Sequence, residues 1–249
     1  MNSMSIALIA LLFPLSSPPV LVENLNLDYK AGAGQAQVSK AQFVLEDQTW
    51  NFTDATFDVR AQDGVLTIER PEDNFSYPIE ADFLDEVSVA RASGVWADYA
   101  PGKVIGRVQS AYLEKGKDIT NLGRSSIDCR ASSRNIHPID SCIAAGRLKV
   151  ATIGGLENER AINISDIDVA ISRGKTTFSV RVGGIGKITG NGTTSHEPQV
   201  STVKIKVDKV KLGILDITGR FFDEIKDQES ENLKVSRPYI WVIYAKGQM

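Results

Sequence analysis

The side chains of this chain with the most obvious chemistry are carboxylates: Asp54, Asp58, Asp166, Asp168, Asp208, Asp223 and Glu224. Glycoside hydrolysis by an acid pair needs two of them facing each other across a cleft, and no spacing here places such a pair. Asp166 and Asp168, two residues apart, share one strand face and offer oxygen ligands of the kind Ca²⁺ takes. The simpler reading for each of these acids is a solvated strand face or a turn former. Serine, histidine and aspartate are all present, but no G-x-S-x-G frame occurs to expose a nucleophile. His137 stands beside Pro138, and His196 lies in TTSHEP, which reads as a surface loop. Neither has a partner that would make it a base.

Gly184-Ile185-Gly186-Lys187 invites a phosphate-loop reading and fails it. Arg181 occupies the position of the first glycine, Ile188 that of the Ser or Thr, and no helix follows to offer its N-terminus. A glycine-rich hairpin turn accounts for the run. Lys204, Lys206, Lys209 and Lys211 interleave with Val203, Ile205, Val207, Val210 and Leu212. One face of such a strand is basic and the other apolar. Lysines in this pattern protect a sheet edge, or they meet anionic lipid headgroups or glycans.

Cys129 and Cys142 are the only cysteines, and they bracket CRASSRNIHPIDSC. In an oxidising compartment a pair this close reads as a structural disulfide closing the loop 129–142. The spacing is not C-x-x-C, and His137 brings the ligand set only to three, so a metal centre is not expected. The N-terminus points to the same compartment. The first 22 residues lack Lys, Arg, Asp and Glu, and the short apolar core 6–13 (IALIALLF) runs into Pro14, Ser16, Ser17, Pro18 and Pro19. An apolar stretch followed by helix breakers and small residues reads as a secretory signal peptide, placed at 1–20. Residues 21–249 then form a single domain, exported to the periplasm or secreted. Asn51, Asn74, Asn163 and Asn191 head N-x-S/T sequons, which matter where the source glycosylates exported chains.

Composition narrows the class further. The 249 residues are 42% hydrophobic and 24% charged with a net charge of −3, an ordinary globular balance. That charge excludes a broad nucleic-acid footprint, and no apolar run reaches the length of a membrane-spanning helix without a proline. No cofactor is expected.

The elements that must position these residues are mostly strands. Leu25, Leu27 and Tyr29 alternate with polar residues, as do Ala55, Phe57 and Val59, and Leu66 and Ile68 follow after the Asp63-Gly64 hairpin signal. Further alternation over 104–113, 148–152, 167–171, 178–182 and 203–207, separated by Gly, Asn, Asp and Pro, predicts an antiparallel, curved or wrapped sheet, sandwich- or barrel-like. One helix is predicted near 217–228, from Ile217, Phe221, Phe222 and Ile225. The segment 91–99 is a weaker helix candidate because of Gly94. The run 239–244 (YIWVIY) reads as a last strand buried on both faces. NFTDATFDV (51–59) and NISDIDVAI (163–171) share a pattern that admits an internal repeat. In both the apolar parity slips by one, at Thr53-Asp54 and at Ser165-Asp166, and it slips again at Asp208-Lys209. An odd step swaps faces, so a bulge or corner is expected at each.

The segments NISDIDVAISRGKTTFSVRV and VSTVKIKVDKVKLGILDITGRFFDEI resemble the strand-rich pattern of bacterial envelope lipid-handling β-proteins, the AsmA-type and related families. The resemblance implies a non-enzymatic protein of the cell envelope that binds lipid or another amphiphile in an apolar β groove, with peripheral membrane contact and an envelope protein as partners to expect. The wall candidates are Phe57, Val59, Ile167, Val169, Phe178, Val180, Phe221 and Phe222, residues that serve equally as plain core. The alternative is an exported glycan-acting hydrolase on a β-sandwich, with Trp50, Trp96, Tyr99 and Trp241 stacking on sugar rings near an acid such as Asp98.

Overall fold

Alternation becomes strand almost everywhere in this chain. The structure is a computed structural model that describes residues 17–45, 48–80, 87–116, 118–131, 138–154, 164–230 and 232–243. Residues 1–16 of the predicted leader and His137 of the cysteine loop lie outside these, while positions 17–20 open the first strand. The first strands are β1 (Ser17–Lys30), β2 (Ala33–Leu45), β3 (Gln48–Gln62), β4 (Val65–Arg70), β5 (Phe75–Glu80) and β6 (Val87–Ala100). Four short ones follow: β7 (Lys103–Val108), β8 (Ser110–Lys115), β9 (Asp118–Leu122) and β10 (Ser125–Arg130). After helix α1 (Pro138–Ala145) come β11 (Gly146–Gly154), β12 (Ile164–Ser172), β13 (Lys175–Val182), β14 (Gly186–Glu197), β15 (Thr202–Leu212) and β16 (Leu215–Asp216). Helix α2 (Thr218–Lys226), β17 (Leu233–Ser236) and β18 (Tyr239–Ile243) complete the described chain.

These strands form one large antiparallel sheet that curves without closing. Its order runs β5-β4-β3-β2-β1-β6. The two halves of β6 then carry β7 and β8, which pair with β10 and β9, and both of these pair with β11. From there β12, β13, β14 and β15 follow in chain order, and β18 and β17 form the far edge.

The expected slips are present, and they belong to a larger feature. Asn24 in β1, Asp54 in β3, Gly94 in β6 and Asp166 in β12 all have positive φ, between 47° and 57°. At each, the buried or apolar positions step by three instead of two: Val22 to Leu25, Phe52 to Ala55, Ala92 to Val95, Ile164 to Ile167. The strands between them step at the same level, Val38 to Ala41 in β2, Val108 to Ala111 across β7 and β8, and Leu122 to Ser125 across β9 and β10. Because each strand adds its residue in line with its neighbours, the β1–β2 and β2–β3 registers hold on both sides of the line. The sheet therefore turns a corner along one crease while one face stays apolar throughout. Asn and Asp tolerate the left-handed region best among residues with a Cβ, and glycine takes it freely. The Asn24 amide donates to Ser39 Oγ (3.2 Å), and the Gly94 N–H donates to Asn26 Oδ1 (3.0 Å), tying the crease from β2 to β6. Both copies of the shared sequence pattern lie on this crease.

A sheet that buries one face must curve around what it buries. The inward residues of β1–β9 and β11 form one packed cluster, with Phe52, Phe57, Phe75 and Trp50 at ring separations of 4.9–5.8 Å. A second cluster joins Val207, Val210, Val235 and Ile240 to Phe222 of α2.

Four expectations are corrected. Residues 91–99 lie within β6, where Gly94 serves the crease rather than breaking a helix. The stretch 104–113 is two collinear strands, since the crease passes between them at Gln109. The cysteine loop ends in a second helix, α1, which starts at Pro138, a residue whose fixed φ suits the first helical position. The last strand is not buried on both faces: only Ile240 is buried, Tyr239, Trp241 and Ile243 are half-buried, and Val242, on the same face as Ile240, is 38% exposed.

Candidate functional site

The lysine strand is built by a bulge. Lys204 and Lys206 precede Asp208, Lys209 and Lys211 follow it, and the β14–β15 register slips at that point, opposite Asn191 and Gly192. One extra residue in a period-two strand restores the facing of everything beyond it. All four lysines therefore share one face, and Ile205, Val207, Val210 and Leu212 share the other. Lys206 Nζ lies 3.0 Å from Asp208, whose hydrogen bond and charge raise the lysine above its ordinary value. Lys209 lies 3.5 Å from Asp216, and Lys204 sits 4.5 Å over the Tyr239 ring with Trp241 at 5.9 Å. Arg147, Lys149, Arg181 and Lys187 lie on the same face, as the cross-strand registers require. Arg147 makes a two-point contact with Asp168 (3.0 and 2.7 Å), which holds that carboxyl below its usual range, and Arg181 lies 3.2 Å from Asp166. Both predicted Ca²⁺ ligands are thus bound to arginines. Among the described residues no group of three or more His, Cys, Asp or Glu is placed to hold a metal ion.

The other face of the same strands is apolar. The wall candidates separate along it. Phe57 and Val59 belong to the first cluster, with Ile167 packed against it. Phe222 belongs to the second cluster, against which Phe178 and Phe221 pack, their rings stacked 6.0 Å apart. Val169 and Val180 belong to neither. Cross-strand register sets Leu148, Val169 and Phe178 in one row and Val180, Ile188 and Leu212 in the next. All are half-buried except Leu148, which is 36% exposed. The strip lies between the part of the sheet under α1, which packs on β7, β10, β11, β12 and β14, and the part under α2, which packs on β15 and β17. Gly190 leaves room there for the Phe178 ring, which a Cβ at that position would overlap.

The strip ends at two neighbouring turns. Residues 183–185 join β13 to β14, residues 213–214 join β15 to β16, and the Ile188–Leu212 pair sets them side by side. Ile185 is 57% exposed, Ile214 96% and Leu215 62%. Sequence reasoning read the first turn only as a failed phosphate loop and passed over the second. The available signal was a large aliphatic side chain flanked by glycine at positions where turns carry polar residues.

A different cluster holds α1 in place. The disulfide Cys129–Cys142 joins the helix to β10, with Cα atoms 4.4 Å apart. His196 proves to be a strand residue of β14 with its side chain only 1% exposed, not a surface-loop residue, and its Nδ1 lies 2.9 Å from Asp140 Oδ1 of α1. Beneath lie buried Ser141 and the Thr176–Thr194 hydroxyl pair at 2.6 Å. The helix is tied across the sheet from β10 to β14.

The aromatic set of the hydrolase alternative does not gather at one place. Trp50 stacks on Phe52 within the first cluster, Trp96 carries Arg107 at 5.4 Å, and Trp241 lies beneath Lys204 on β18. Tyr99, half-buried on β6, has its hydroxyl raised by burial, and Asp98 is ion-paired with Lys103. A surface depression lined by Asp28, Gly34, Gln35, Asp58 and Arg60 lies on the polar side of β1–β3. Among the described residues no helix is long and apolar enough to cross a membrane. No protein-family model, curated protein or solved structure matches this chain.

Proposed function

We propose that this chain is a non-enzymatic, exported protein of the cell envelope that binds a lipid or similar amphiphile. The acyl part lies on the apolar strip of Leu148, Val169, Phe178, Val180, Ile188 and Leu212. One observation carries the reading: this row of aliphatic and aromatic side chains joins two packed clusters yet is itself only half-buried. Apolar side chains aligned on a rigid sheet with few polar groups among them suit an acyl chain better than a reacting centre. The disulfide supports an oxidising compartment, hence the periplasm or the exterior. The cations of the opposite face and of the strip's open end supply complementarity for an anionic headgroup.

Native mass spectrometry of protein purified without detergent from a membrane-containing lysate tests this. A bound mass that organic extraction removes and identifies as lipid is expected, and Val180→Glu, which puts a charge on the strip, should abolish it. A clean apo mass in every detergent-free preparation would refute lipid binding.

A further inference from the structure

The end of the sheet where the two turns meet has the make-up of a surface that enters a lipid interface. Ile185, Ile214 and Leu215 are the three large hydrophobic side chains with the greatest exposure after Val200 is set aside at the opposite end of the β14–β15 hairpin. They are contiguous across two hairpins rather than scattered, and a clustered apolar projection is informative where single exposed side chains are not. Glycine makes the projection. Gly184 (φ 74°) and Gly213 (φ 59°) take the left-handed conformation, and nothing lies within 4 Å of where a Cβ would stand, so both tips extend clear of the sheet.

The charges behind the tips have one sign once pairs are set aside. Arg181 is engaged with Asp166, and Lys209 with Asp216. Among the described residues no carboxylate lies within ion-pair distance of the exposed Lys187 and Lys211, although the Lys187 charge helps hold Asp168 low and Asp216 stands opposite Lys211 in the strand register. They share one face of the sheet, adjacent to the turns: Lys187 is the second residue of β14 and Lys211 the next-to-last of β15. An apolar tip with ammonium groups two or three residues behind it matches the layering of an anionic membrane, where acyl chains lie beneath a negative headgroup plane.

We propose that the two hairpin tips dock this protein on an anionic bilayer, with Ile185, Ile214 and Leu215 below the headgroups and Lys187 and Lys211 among them. Docking here gives the apolar strip an entrance that opens into the bilayer, since Ile188 and Leu212 are the last β14–β15 pair before the turns and on the apolar face of β13 only Val182 lies between Val180 and its turn. In its purpose it rests on the amphiphile reading, but it uses different residues.

Co-sedimentation of the full chain with phosphatidylglycerol–phosphatidylcholine vesicles at low salt tests it, with pure phosphatidylcholine vesicles alongside. The wild type binds the anionic vesicles. Ile214→Ser with Leu215→Ser weakens binding roughly tenfold or more for each side chain, from the transfer free energy of a buried Leu or Ile. Lys187→Gln with Lys211→Gln weakens it roughly 30-fold on anionic vesicles only, at about 1 kcal/mol per cation, and flattens the salt dependence. All four side chains are exposed at turns and strand ends, so circular dichroism and Tm of both variants should match the wild type. Ile214→Trp adds a direct reading: its extra emission shifts to the blue on anionic vesicles and is quenched by brominated acyl chains. No vesicle binding by the wild type, equal binding by the serine variant, or an unquenched Trp at 214 each overturns docking at this edge. Co-purified lipid in the serine variant separates the two readings. Cargo retained while vesicle binding is lost supports both. Tip-dependent vesicle binding without cargo in any variant overturns only the strip. Cargo with tip-independent vesicle binding overturns only the docking edge.

Discussion

Gly192→Ala sets two physical effects of opposite sign against each other. In a strand interior, replacing glycine by alanine ordinarily stabilises by roughly 0.5–1 kcal/mol, because the unfolded chain loses freedom. Gly192 lies opposite Val207, beside the bulge at Asp208. A Cβ there would overlap the Lys206 carbonyl oxygen and stand 3.1 Å from Val207 Cα. Both obstacles are backbone, so no rotamer change relieves them, and β14 and β15 must separate where the four lysines are brought onto one face. Overpacking of this kind costs about 1–3 kcal/mol. The overlap wins, and the net expectation is a loss of about 1–2 kcal/mol, a fall in Tm of roughly 2–8 °C for a domain of this size. Urea unfolding followed by far-ultraviolet circular dichroism measures it, with Thr193→Ala, an exposed neighbour on the other face, as the control. A Gly192→Ala midpoint equal to or above the wild type would refute the account of the bulge. Intensity changes confined to Lys204, Lys206 and their cross-strand partners in an NMR spectrum would localise the damage as the geometry requires.

Other consequences follow from single contacts. Thr218 Oγ1 accepts from the buried Val210 N–H (2.9 Å) and donates to Asp216 (2.7 Å); Thr218→Val leaves that N–H without its acceptor and should cost about 1–3 kcal/mol in a urea titration. Replacing both Cys129 and Cys142 by serine opens the loop between them and should lower stability by roughly 3 kcal/mol on the chain-entropy account. Reduction of the wild type should raise its intact mass by two hydrogen atoms, one on each sulfur, and an unchanged mass would mean that no bridge exists. Asp168, held low chiefly by its hydrogen bond to Arg147, has a folded pKa below its unfolded value of about 3.9. Its contribution is therefore complete above that value and is lost as pH falls through the lower folded one. Asp168→Asn should flatten the acid-side decline in urea midpoint between about pH 5 and pH 2, and an identical pH profile would show that the pair contributes nothing.

Much of the architecture is local and was therefore legible. Period-two alternation marks strands because side chains on a pleat alternate between faces. The parity slips at Asp54, Asp166 and Asp208 mark a corner or a bulge for the same reason. The short stripe of Phe221, Phe222 and Ile225 marks α2, which runs Thr218–Lys226 within the predicted 217–228. The disulfide pair and the basic face of β15 were equally readable. In the lysine strand, the slip that looked like an irregularity is what keeps Lys209 and Lys211 on the side of Lys204 and Lys206.

What escaped the sequence depends on partners distant along the chain. Nothing local says that β1 pairs with β6, or that β7 and β8 are two halves of one row laid along it. The crease is readable at two strands but acquires meaning only when Asn24, Ser39, Asp54 and Gly94 line up across neighbours. His196 looks like a loop residue because its burial comes from Asp140 on a helix 56 residues away. The apolar residues of the strip are written in the chain, but their half-buried state is set by where α1 and α2 end. A residue type records what a position is able to bury. Only the packed fold decides what remains uncovered, because exposure is a property of the neighbours.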